Sequence, residues 1–189
     1  MQEQNPIVLM NFSGIYREEE FWKNRQVSWI ELQDVCGTNC YCDEEAIAEI
    51  NKRTENYPTA GIHFIDSGNY HYMSKLLLGL EKEDLFLAVF DHHTDMQCPA
   101  FGGILSCGGW IREALETNDN LKHVILVGPP QAAMEETKKE LAEDGEELLG
   151  KVTWISEEEF LQNVEKPNWI QKLCGQCNVT GAEADEKEQ

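Results

Sequence analysis

The stretch LFLAVFDHHTDMQ, residues 85–97, runs six apolar residues straight into two aspartates and two histidines within five positions. An apolar run of this length, rich in branched and aromatic side chains, reads as a buried strand. A protein interior cannot hold four such polar groups unpaired, so the strand must end where they find partners. In an extended segment alternate side chains share a face, which sends Asp91, His93 and Asp95 to one side and His92 and Thr94 to the other. One imidazole between two carboxylates is a mixed N/O donor set, which suits manganese, zinc or iron better than calcium. The plainer reading is that the acids cap the next helix and the histidines are hydrogen-bonded within the loop.

Other strand runs lie to either side: PIVLMNF (6–12), GIHFI (61–65), HVILVG (123–128) and VTWI (152–155), while VSWIEL (27–32) reads as a short strand or the start of a turn. Between them lie helical patterns at 43–54, 70–80, 109–118, 131–150 and 156–164. Asp43 is placed to cap the first, and Ser156 with Glu159 forms a capping-box pattern at the last. Alternation of strands and helices predicts an α/β fold, a three-layer αβα arrangement around a mainly parallel sheet. The run 85–90 is expected to be a central strand, covered on both faces. Its C-terminal end is where open α/β sheets place ligands. The preceding strand leads through SGNYHY (67–72) into a helix, with His71 expected in its first turn. That position makes His71 a candidate fourth ligand. His63, inside a strand, reads as a core histidine, and His123 starts a strand at the far end of the sheet.

The chain has 189 residues, 15 Lys and Arg, 35 Asp and Glu, and a net charge of -20. Such a balance argues against nucleic acid or an anionic membrane as partner and is compatible with a cationic small molecule or metal ions. No apolar run approaches the ~20 residues of a membrane span, and the N-terminal stretch lacks the pattern of a secretory signal. Seven cysteines, an odd number, suit a reducing cytoplasm better than a disulfide framework. Those of CGTNCYC (36–42) and CGQC (174–177) read as ordinary thiols, with zinc and redox readings as the alternatives. Residues 1–177 are expected to form one domain and 178–189 an acidic flexible tail.

The stretches SGNYHY and DHHTD, with strand, helix and strand in order between them, resemble the ureohydrolase family of arginases, agmatinases and formiminoglutamases. That family carries a Gly-Gly-Asp-His-Ser turn after one strand and Asp-Ala-His-x-Asp after the next. The resemblance implies a manganese-dependent hydrolase that attacks a C–N bond of a guanidino or amidino compound through a metal-bound hydroxide. Carried over, His71, Asp91 and Asp95 would serve one manganese, and Asp91 and His93 the other, with Asp91 bridging; Asp91 and His93 would be catalytic. Three departures stand out. Asn69 and Tyr70 occupy the family's Gly and Asp positions, and His92 replaces a small residue. After VTWIS the chain shows no counterpart of the family's later Asp-x-Asp pair, and Asp185 stands alone in the tail. The alternative implied is a family member without activity that binds metal weakly or serves as a partner subunit. A sheet lacking that strand would expose an edge, from which self-association into a homo-oligomer or reduced stability is expected.

Overall fold

The structure is a computed structural model, and it describes residues 6–99, 102–166 and 169. In chain order the elements are β1 (Ile7–Asn11), β2 (Val27–Glu31), β3 (Tyr41–Cys42), α1 (Glu44–Thr54), β4 (Ile62–Phe64), α2 (Met73–Leu78) and β5 (Leu85–Phe90). There follow β6 (Leu105–Ser106), α3 (Trp110–Thr117), β7 (Leu121–Val127), α4 (Gln131–Asp144), α5 (Glu146–Leu149), β8 (Val152–Ile155) and α6 (Glu157–Asn163). The fold is mixed α/β with mainly parallel sheets. Two compact units share the chain: one takes the described residues up to Leu85 together with Thr94–Lys122, the other Phe86–His93 and the described residues from His123 onward.

In the first unit β1 lies between β2 and β4 and pairs in parallel with both, Leu9 standing opposite Trp29 and Phe64. β1 is buried from Val8 to Asn11: Val8, Leu9 and Met10 as an apolar run predicts, and polar Asn11 with them. Helix α1 starts where Asp43 accepts the amide of Ala46 at 2.8 Å, with Glu44 and Glu45 at the positive end of the helix dipole. Helices α2 and α3 pack together and are tied by Lys75 Nζ to Glu113 Oε1 at 2.6 Å. A two-stranded antiparallel ribbon, β3 with β6, pairs Tyr41 with Ser106 and Cys42 with Leu105.

In the second unit the strand order is β5-β7-β8. Leu85 N–H reaches Asn120 O at one end of β5 and Asp91 N–H reaches Val127 O at the other, so β5 runs parallel to β7, and β8 continues the parallel pairing. Among the described residues the middle strand of this sheet is therefore β7, and β5 lies at its edge. Nor is β5 covered on both faces: Val89 is buried, whereas Phe86 is 47% and Phe90 69% exposed. Every residue of the run is apolar, so the period-2 difference between its faces leaves no trace in the sequence. Ser156 caps α6 by accepting the amide of Glu159 at 3.1 Å, and Gly145 separates α4 from α5. Among the described residues no helix is long and apolar enough to cross a membrane.

The acidic tail 178–189 and the pair Cys174 and Cys177 lie outside the described residues.

Candidate metal centre

In the first unit, the turn after β4 is a short 3-10 segment, Gly68–Tyr70, and His71 is its C-terminal cap, ahead of α2 rather than within its first turn. Buried tyrosines clamp it from both sides. Tyr70 stacks on Phe12 with ring centroids 4.2 Å apart, and the hydroxyl of Tyr72 donates to Thr38 O at 2.6 Å. Between these anchors the His71 ring lies 4.8 Å from the Trp110 ring, and its Nδ1 is 2.9 Å from Oδ2 of Asp95. Trp110, itself 1% exposed, donates Nε1–H to the same oxygen at 2.6 Å. Asp95 is 6% exposed, and its carbonyl accepts the Ile111 amide at 3.0 Å. A polar group this buried needs such hydrogen-bond partners. His71 and Asp95 thus bring ligand-type atoms close enough to share one ion.

Asp95 has φ +48, in the left-handed region. The extended alternation expected over 91–95 therefore does not hold: the strand ends at Phe90 and the backbone bends at once. The cause is visible at Asp91 in the second unit. Its Oδ1 accepts the His93 amide at 2.8 Å and lies 3.2 Å from His93 Nδ1, a local side-chain turn that competes with the strand ladder. Asp91 is largely covered, whereas the His93 side chain is 78% exposed. Gly128 has φ +115, and a Cβ there would meet Asp91 O at 2.6 Å, so a glycine is needed beside the strand end. His92 stands 4.0 Å from Glu157 at the start of α6. His63 Nε2 contacts Pro58 O at 2.9 Å and His123 Nε2 contacts Thr153 Oγ1 at 2.8 Å; both are structural contacts.

One polar cluster carries no expectation from the sequence. At the C-terminal end of β1, fully buried Asn11 donates Nδ2–H to Glu31 at 2.6 Å and to Gln33 at 3.1 Å. Its Oδ1 is a buried acceptor with no hydrogen-bond partner among the described residues. Beside it Asp66, at φ +69, accepts the amides of Phe12 and Ser13 and the Ser13 hydroxyl. The Asp66 amide in turn meets the hydroxyl of Tyr16, whose pKa burial pushes up. The available signal is that NFSG and IDSG follow two parallel strands, so their polar residues fall at the ligand-bearing end of the sheet.

No family model matches the chain, and no solved structure matches it. An uncharacterized protein of Thermotoga maritima is 29% identical over 121 residues, which are 64% of this chain and 46% of that protein. The chain therefore spans less than half the length of that relative.

Proposed function

We propose that this chain is an arginase-like, three-layer α/β hydrolase that cleaves a C–N bond in a cationic guanidino- or amidino-type small molecule, using manganese held by His71, Asp91, His93 and Asp95. The observation that carries the reading is the His71–Asp95 pair: an imidazole and a buried carboxylate 2.9 Å apart, with Trp110 fixing the carboxylate. The donor set fits the metal. An imidazole nitrogen and a carboxylate oxygen this close, His71 Nδ1 and Asp95 Oδ2 at 2.9 Å, can both turn to one ion in place of their contact with each other. Carboxylates and imidazole together suit a borderline-hard divalent ion.

When bound, manganese acts as a Lewis acid and lowers the pKa of water enough to provide a nucleophile at neutral pH. The chain's own residues do the rest. His71 and Asp95 would be ligands of the ion, and Trp110 keeps the Asp95 carboxylate from turning. Asp91, four residues before Asp95 in the same segment, would supply a second carboxylate, and His93, whose side chain is exposed, a second imidazole. The net charge of -20 favours approach of a cationic substrate. A cytoplasmic setting and self-association belong to the same proposal.

The test is reconstitution of the chelated protein with manganese, zinc or iron, followed by metal analysis and assay of urea or ammonia release from arginine, agmatine and formimino compounds. Retained metal that is lost in His71→Ala, together with turnover, supports the proposal. Retained metal without turnover selects the inactive family member, and no retained metal with any of the three ions overturns both.

A further inference from the structure

The antiparallel register of β3 and β6 sets Tyr41 opposite Ser106 and Cys42 opposite Leu105, so the next pair along the ribbon is Cys40 with Cys107. The Cys107 amide donates to Cys40 O at 2.8 Å, while Cys40, at φ +63, turns its own amide to Asn69 O, so the ladder ends at this pair. Residues directly opposed across an antiparallel ribbon have Cα atoms about 4.5–5.5 Å apart, inside the range of about 4.4–6.8 Å that a disulfide spans. The two side chains also meet, because the Cys107 thiol hydrogen-bonds to Cys40, and burial pushes the Cys107 pKa up. Both residues are half-buried and free. We propose that Cys40 and Cys107 are a reversible redox pair that closes to a disulfide by exchange with a low-molecular-weight disulfide.

Burial keeps Cys107 protonated, so Cys40 makes the first attack. Its sulfur bonds to one sulfur of the reagent and one small thiol leaves. The Cys107 sulfur then attacks Cys40 in the mixed disulfide, and the second small thiol leaves. The chain gives up two thiol protons and two electrons; the reagent takes both and becomes two thiols. The other described thiols are placed differently. Cys42 is buried, with its pKa pushed up to about 11 by that burial and its thiol against Tyr72, whereas Cys36 and Cys98 are exposed.

The location gives the pair a consequence. The Cys40 amide donates to Asn69 O, two residues before His71, and Cys107 leads through Gly108 and Gly109 into Trp110, which holds Asp95. A bond between these sulfurs would staple the segment that carries His71 to the segment that fixes Asp95. Closure itself does not depend on a metal binding there.

The experiment uses the full chain, reduced, desalted and equilibrated in graded mixtures of oxidised and reduced glutathione. Samples are then quenched in acid, alkylated and mapped by mass spectrometry. The expected result is an intramolecular Cys40–Cys107 cross-link that forms at lower oxidised-to-reduced ratios than any adduct of Cys36 or Cys98 and reverses with dithiothreitol. In Cys107→Ser, Cys40 should instead accumulate the glutathione mixed disulfide at least several-fold above wild type. A folded wild-type chain that yields only mixed disulfides at Cys40 and Cys107, or pairs Cys40 with Cys36, overturns the proposal. The wild-type map decides the matter even where the serine variant folds poorly.

Discussion

Replacing Trp110 with Phe removes one donor from a buried carboxylate and leaves most of the aromatic surface in place. The Nε1–H of Trp110 reaches Asp95 Oδ2 at 2.6 Å, where Asp95 is 6% and Trp110 1% exposed. A hydrogen bond to a charged group contributes about 1.5–3 kcal/mol, and the smaller ring costs on the order of 1 kcal/mol more through the space it leaves. A loss of about 2.5–4 kcal/mol follows for the segment that includes Ile111, whose amide donates to Asp95 O at 3.0 Å. Hydrogen exchange at that amide reads the loss locally, without assuming that the two units unfold together. At about 1.4 kcal/mol per decade, exchange through segmental opening should quicken by roughly 60- to 700-fold. A double-mutant cycle with Asp95→Ala separates the hydrogen bond from the lost ring volume, with an expected coupling of about 1–3 kcal/mol. Single-variant effects that add to within about 0.3 kcal/mol would refute the claim that Trp110 and Asp95 act as a unit. On the proposed function, Trp110→Phe should also weaken manganese binding by about 10-fold or more, the usual effect of losing a partner behind a ligand.

Burial lowers the pKa of His123, so the folded state favours its neutral form. As pH falls below about 6.5, the ordinary histidine value, the unfolded chain takes up the proton first. The contribution is complete above that value and is lost as pH drops toward the lowered folded one; the urea midpoint should fall more between pH 7.5 and 5.5 in wild type than in His123→Gln. Ser156→Ala removes the cap that accepts the Glu159 amide and should cost about 1 kcal/mol, read as a lower urea midpoint. Gly128→Ala places a Cβ 2.6 Å from Asp91 O at φ +115 and should cost more than about 1 kcal/mol, by the same measurement. A neutral result there would mean that the strand end moves freely to make room.

The apolar run of β5 was legible to the residue, because it is bounded by acidic residues on both sides and interrupted by none. The caps Asp43 and Ser156 were legible for a related reason: their chemistry acts on amides three residues away, within the reach of local sequence. The Asp95 environment was not. Its conformation and charge are fixed by Trp110, 15 residues on, and by His71, on a different turn, and neither partner is marked in DHHTD. The ribbon of β3 and β6 leaves no mark in the sequence, because two-residue strands have no period, and the pairing of Cys40 and Cys107 depends on that ribbon.

The two aspartates of the motif therefore differ in a way their symmetrical spacing hides. Asp91 bonds through its side chain to the amide and ring of His93, two residues on, so part of what holds it is local. Asp95 is set by tertiary contacts and is buried, so substituting it leaves a tryptophan donor facing an altered partner and disturbs the packing of α3 as well as any ion. A loss of metal in an Asp95 variant consequently confounds ligation with local stability. The same loss in Asp91→Asn, which keeps an oxygen able to accept the His93 amide, reports on ligation more directly. His71 falls between them, since Tyr70 and Tyr72 hold its backbone through contacts that do not involve its ring. For this chain, Asp91 and His71 are the informative positions for the metal, and Asp95 is the informative position for the scaffold that would hold it.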